Sequence, residues 1–439
     1  MTNQPRYRIT GGGPISGELR CLGAKNFITK AMVAALLGDS PTKLTNVPPI
    51  GDTRITQEML ESIGVSVERS GDRMTLDPGA VGTGHVPTPH SGSNRVPVLL
   101  LGALLHRCPE VRVPSLGGCK IGARKVDFHL QALEAFGATV EDRPGEMVAR
   151  APDGLKGTTF SLPYPSVGAT ETCIYAAVRA TGRTILQNVA LEPEIFELIT
   201  MLRGMGAMIF TSPGRDIRIE GVSSLRGTCM EILGDRIEAA SWASLACASD
   251  GEITVHGIRP ETLGNFLSYF TEVGGGVDIV GPQSLRFYRR GDLRPAVIET
   301  DVWPGFSTDW QQPFAIVLGR ANGVSVIHET VYEDRFGYLR ALRELGAKVQ
   351  ITDHCLGSAP CRYKGTHHMH SAIITGPSEL QAIPELEIPD LRAGLAYVIA
   401  AAVAKGTTEL TGVPYVERGY GNIVPRLAEL NLKIELVQP

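Results

Sequence analysis

Three elements recur in the same order six times along the chain, and this repeat constrains the fold more than any other feature. A small-residue apolar run comes first: AMVAALLG from Ala31, VLLLGALLH from Val98, ETCIYAAVRA from Glu171, AASWASLACA from Ala239, QPFAIVLGRA from Gln312 and AGLAYVIAAAV from Ala393. A turn and a short strand follow each run, as in KLTNVPPI, TILQNVALEP and ELTGVPYVE. The third element is an amphipathic helix that stops at Gly or Asn before another strand, as in MLESIGVSVE, ALEAFGATVE and LAELNLKIEL. That stop residue suits a helix C-cap in the left-handed region. The period is roughly 70 residues, the size of an α/β supersecondary unit.

The apolar runs are hydrophobic nearly all round, which places them inside rather than on a surface. An α/β fold with helices inside and strands outside follows. Six units in 439 residues divide naturally into two groups of three, each the size of a domain. The expected division is 24–233 for the first domain, with 1–23 and 234–439 forming the second. A cleft between such domains is the default place for a ligand, and its closure would bring together anion ligands from both halves.

Composition narrows the functional classes. Hydrophobic residues make up 43% and charged residues 20%, the balance of a globular protein and not of a disordered one. With 42 basic against 46 acidic side chains, no overall basic field recruits nucleic acid or an anionic membrane. The start MTNQPRYRIT lacks a leader pattern, and the longest apolar stretches, Val96 to Leu105 and Leu395 to Ala404, are too short to span a bilayer. A cytoplasmic location is expected. Eight scattered cysteines without a CxxC pair suit reduced thiols.

The chemistry-bearing residues gather at the starts of the apolar helices and in the turns after the first strands. Helix starts carry Lys25 and Asn26 (GAKN), Arg95 (SNR), Ser166, Val167 and Gly168 (SVGAT), Asp235 and Arg236 (GDRIE), Asp309 (STDWQ) and Asp390 with Arg392 (PDLRAG). Turns carry Cys119, Arg124, Lys125, Asp127 and His129 (GGCKIGARKVDFH), Arg335 (EDR) and Arg418 (ERGYG). Ser-Val-Gly at a helix start makes an anion cradle of free N–H groups. Lys25, Arg95, Arg124, Arg335, Arg392 and Arg418 fall on the same kind of repeat terminus, so the substrates are expected to be anionic, with at least one phosphate. Cys119 sits among glycines with Lys120, Arg124 and Lys125 following, a setting that depresses a thiol pKa.

Two other motifs are weaker. DHCLGSAPCRYKGTHHMH holds Cys355, Cys361, His367, His368 and His370, ligand types for zinc, yet its spacing is not that of the common fingers and its cysteines lack close pairing. It reads as a long loop, and no metal or organic cofactor is expected. No GxxxxGK[ST] segment supports a P-loop.

In order over the full chain, GAKN, GGCKIGAR-K-VD-F-H, SVGAT, GDRIE, F-S-TD-W-Q, EDR, DLRA and RGY resemble the UDP-N-acetylglucosamine enolpyruvyl transferase family. The resemblance implies a two-domain inside-out α/β barrel with three repeats per domain. It also implies that Lys25, Arg124 and Arg418 hold phosphoenolpyruvate, with Arg335 and Arg392 lining the same pocket. Cys119 becomes a thiol able to form a covalent phospholactoyl adduct and the target of fosfomycin. Asp309 takes the acceptor hydroxyl proton. Asn26, Arg95, Arg124, Lys125, Val126, Asp127, Phe128, Ser166, Val167, Gly168, Asp309 and Val331 contact the uridine nucleotide. Protonating the enol carbon while a hydroxyl attacks calls for a general acid, a base and fixed cations around the departing phosphate.

Two departures bear on the acceptor. Lys125 stands where the family has Pro, and Trp303 where it has His. With Val126-Asp127 kept and the sugar side changed, the expected acceptor is the 3'-hydroxyl of UMP, as in the UMP enolpyruvyl transferases of nikkomycin and polyoxin biosynthesis. Lys125 would pair with the terminal phosphate and Trp303 would fill the space of the missing sugar. The alternative acceptor is UDP-N-acetylglucosamine, in peptidoglycan synthesis.

Overall fold

A computed structural model describes residues 4–115, 126–358, 361–389 and 393–438. The six apolar runs form helices at Lys25–Ala35, Val96–Leu104, Val167–Ala177, Arg236–Ala248, Gln311–Gly319 and Gly394–Val403. The last three and Val96–Leu104 are buried along their whole length. Small side chains let these helices approach closely: a Cβ at Gly102 would come within 3.1 Å of the Thr172 carbonyl oxygen on the helix it packs against.

The amphipathic helices are Gly51–Ser62, Asp127–Ala135, Pro193–Met205, Asn265–Glu272, Gly337–Glu344 and Ile423–Glu429. Each is followed by a residue at positive φ, namely Gly64, Gly137, Gly206, Gly274, Gly346 and Asn431. All six stops therefore take the left-handed conformation expected of them.

Each repeat builds one small sheet of a common design. In the first, Cys229–Glu231 runs parallel to Thr42–Thr45, which pairs antiparallel with Arg73–Asp77, itself antiparallel to Ser66–Ser70. The same order is found in the sheet Val297–Glu299, Gly323–His328, Ser371–Gly376, Lys348–Thr352. The second sheet has three strands, with its fourth place marked by a single parallel bridge between His85 and Arg112. In the last repeat the N-terminal strand Arg6–Gly11 lies between Gly406–Thr411 and Lys433–Val437. Helices inside and strands outside is the architecture the repeat predicts.

The chain divides into two compact units. One comprises the described residues between Gly23 and Leu233, and the other those up to Leu22 and from Gly234 onward. Each unit has its own apolar core built on its three buried helices. Among the described residues no helix is long and apolar enough to cross a membrane.

Candidate functional site

In the unit from Gly23, Lys25 is the first residue of its buried helix, half-buried beside Asn26. Its ammonium lies 2.9 Å from a carboxylate oxygen of Asp52, in the first turn of the next helix. The turn joining the strand to that second helix is set by Asn46, at φ 56°, whose side-chain amide donates to the Ile232 carbonyl at 2.8 Å. The ion pair fixes where Lys25 presents its charge.

Residues from the second and third repeats converge beside one another in this unit. Arg95 immediately precedes the helix Val96–Leu104, and the Val96 N–H is satisfied by the Asn94 side chain at 3.0 Å. Val126 precedes the helix Asp127–Ala135, with Asp127 exposed, Phe128 half-buried and His129 buried. Ser166 caps the helix Val167–Ala177 by accepting from the Ala169 N–H. The rest of the contact is made by His129, whose Nδ1 is 2.8 Å from the Thr172 hydroxyl. Its ring lies so close to Gly168 that a Cβ there would come within 3.0 Å. Burial pushes the His129 imidazole down to about 3, and the positive charge of Arg95 adds to the effect. A neutral imidazole thus supports the Ser166–Gly168 turn, where a helix N-terminus and Arg95 both favour an anion.

In the other unit, Asp309 sits on the turn leading into the helix Gln311–Gly319 and is ion-paired with Arg335. The Arg335 side chain is 1% exposed and that of Asp309 is 12% exposed. The guanidinium also lies 5.4 Å from the centre of the Tyr332 ring. Glu329 organises this region. It is fully buried and accepts from the Thr308 hydroxyl at 2.7 Å, the Val331 N–H at 2.6 Å, the Tyr332 N–H at 2.8 Å and the Gln311 side chain. One carboxylate therefore ties the turn bearing Asp309 to the segment bearing Val331 and Arg335. Arg418, half-buried, is on the helix Val413–Tyr420, which packs on the buried helix Gly394–Val403.

Cys119, Arg124, Lys125 and Arg392 lie outside the described residues. Asp52 and Glu329 are absent from the sequence reading because each gains its role from a partner in another element, with no local motif to mark it. Trp303 calls for a correction. Its ring packs against Gly264, where a Cβ would come within 2.6 Å, stands edge-on to Trp310 at 6.4 Å, and has the Arg236 guanidinium 5.4 Å from its centre. The indole fills a place in its own unit's packing, so its presence does not signal a missing sugar.

Residues 9–427 match the family model described as EPSP synthase (3-phosphoshikimate 1-carboxyvinyltransferase). The UDP-N-acetylglucosamine 1-carboxyvinyltransferase of Protochlamydia amoebophila is 45% identical, the match covering 98% of this chain and 94% of that one. The enzyme of the same name from Chlamydia pneumoniae is 44% identical over 98% and 94%. Among solved structures, the enolpyruvyl transferase NikO from Streptomyces tendae superposes with a TM-score of 0.85 at 23% identity, covering all of both chains. EPSP synthase from Acinetobacter baumannii gives 0.71 at 18% identity, over 99% of this chain and 100% of that one. These two show the shared two-domain fold and no more. The expected UMP acceptor, and nucleoside antibiotic biosynthesis with it, is overturned by the full-length relatives at 43–45% identity, all named for UDP-N-acetylglucosamine.

Proposed function

The chain belongs to the EPSP synthase (3-phosphoshikimate 1-carboxyvinyltransferase) family and is an enolpyruvyl transferase, and from that premise we propose that it transfers the enolpyruvyl group of phosphoenolpyruvate to a hydroxyl of UDP-N-acetylglucosamine. The carrying observation is full-length identity of 43–45% to relatives that bear this activity in their names. This is the acceptor that the sequence offered as its alternative, in peptidoglycan synthesis.

In this reading the acceptor oxygen bonds to the phosphate-bearing carbon of phosphoenolpyruvate while the terminal carbon takes a proton; the terminal carbon then gives up a proton as the carbon–phosphate oxygen bond breaks, which restores the double bond and releases phosphate. Asp309 receives the acceptor hydroxyl proton, and Cys119 serves as the acid-capable thiol. Lys25, Arg124, Arg335, Arg392 and Arg418 hold the phosphate and carboxylate of phosphoenolpyruvate, so positive charge stands where negative charge develops. Asp52 would orient Lys25 and Glu329 would orient the Asp309 turn. The uridine nucleotide is assigned to Asn26, Arg95, Val126, Asp127, Phe128, Ser166, Val167, Gly168 and Val331, with Arg124 and Lys125. The geometry that favours this is the corner where Arg95, His129 and the Ser166–Gly168 turn meet.

Phosphate release from phosphoenolpyruvate, with the product identified by mass spectrometry, tests the assignment. UDP-N-acetylglucosamine should support turnover and UMP should not. Turnover with neither nucleotide, or with UMP alone, would defeat it.

A further inference from the structure

The loop of residues 353–370 joins the strands Lys348–Thr352 and Ser371–Gly376 without secondary structure of its own among its described residues. Eighteen residues is long for a connection inside a compact unit, and loops of that length are held by something or serve a function. This one brings Cys355, Cys361 and His370 to His328, the last residue of the strand Gly323–His328. One ligand atom from each of the four lies within 4.8 Å of all the others.

We infer that His328, Cys355, Cys361 and His370 form a closed tetrahedral zinc site. Zinc–sulfur bonds of about 2.3 Å and zinc–nitrogen bonds of about 2.0 Å require ligand atoms roughly 3.3–3.8 Å apart. The Cys355 sulfur is 3.2 Å from Nε2 of His370, near that range. His328 supplies the second, independent observation. It is fully buried, and neither ring nitrogen makes a hydrogen bond, an arrangement native proteins avoid unless a ligand is involved.

The surroundings fit a metal centre. Nδ1 of His370 is 2.7 Å from the His368 carbonyl, to which it donates, leaving the Nε2 lone pair aimed at the cluster. The Tyr363 N–H donates to the Cys361 sulfur at 3.4 Å, as amides do to metal-bound thiolates. Two thiolates and two neutral imidazoles around Zn²⁺ give a neutral centre, the kind a buried site tolerates. Two sulfurs and two nitrogens in a tetrahedron also select zinc over the hard cations.

Four protein ligands leave no open position, so the metal is structural. It would pin the loop against the segment bearing Val331 and Arg335. The loop already touches that segment: Nδ1 of His368 is 2.9 Å from the Asp334 carboxylate, the Met369 N–H donates to Asp334 at 3.1 Å, and the Tyr363 hydroxyl donates to Glu333 at 3.3 Å.

The test uses the untagged full-length protein, purified without chelator under reducing conditions. Elemental analysis should find about one zinc per chain, and the Cys361→Ser variant should retain less than about a tenth of that. Cobalt introduced into metal-free wild-type protein should give the visible absorption of a tetrahedral thiolate-bound ion, a readout that does not depend on a variant folding. His370→Gln should abolish both signals while circular dichroism still reports a folded chain. A folded wild-type chain that takes up neither metal overturns the proposal. So does zinc unaffected by both substitutions, or Cys355 and Cys361 joined in a disulfide.

Discussion

Replacing Asp309 with asparagine separates two consequences of one contact. The Arg335 guanidinium is almost wholly buried and takes its counter-charge from Asp309. Removing one partner of a buried ion pair costs about 3–5 kcal/mol, because the remaining charge is left without compensation. Asparagine keeps an acceptor oxygen and the Tyr332 ring still faces the cation, so the lower end, about 3 kcal/mol, is expected. For a domain of this size that is a fall in Tm of roughly 6–12 °C. Losing a general base separately lowers kcat by about 10²–10⁴-fold. Thermal melts and steady-state phosphate release on D309N should show both losses, while titration calorimetry finds UDP-N-acetylglucosamine still binding within a few-fold of wild type. A kcat within threefold of wild type would refute the proton-acceptor role. An unchanged Tm would refute the ion-pair argument independently.

Two further substitutions probe buried carboxylates. In Glu329→Gln a donating nitrogen must face either the two backbone N–H groups or the Thr308 and Gln311 side chains, and the lost charge-assisted bonds should cost about 3 kcal/mol; an unchanged urea midpoint would contradict this. Glu171 is fully buried, and burial pushes its carboxyl up to about 7, with Lys30 partly offsetting the shift. The folded state therefore holds this proton more tightly than the unfolded state, so stability is present below pH 4.5 and is lost as pH rises from 4.5 to about 7. At 1.36 kcal/mol per unit the loss is about 3 kcal/mol, and Glu171→Gln escapes it. The variant should match wild type near pH 4.5 and exceed it at pH 8, and a difference that stays constant with pH would sink the reasoning.

What the sequence disclosed and withheld follows physical lines. The buried helices and their left-handed stops were legible because small apolar runs and the Gly or Asn at residues 64, 137, 206, 274, 346 and 431 act locally. Helix starts such as Ser166 and Asp235 were legible for the same reason, since each caps its own first turn. Residues that act across elements were not. Asp52 acquires meaning only from Lys25, and His328 from a loop that returns 27 residues later. The packing of Trp303 against Gly264 and Arg236 is equally non-local, which is why substitution at that position suggested an altered acceptor.

The N-terminal strand has a consequence for how the chain is made. Arg6–Gly11 is synthesised long before both strands that flank it, Gly406–Thr411 and Lys433–Val437. Among the described residues, the sheets of the unit around Lys25 include no strand beyond Cys229–Glu231, so this unit can fold before those flanking strands are made. Until then the strand Arg6–Gly11 has two unfilled edges. Its Arg6 and Arg8 side chains, which end in salt bridges with Glu409 and Glu435, are meanwhile unneutralised charges on those edges, the feature that discourages a waiting strand from pairing with the wrong neighbour.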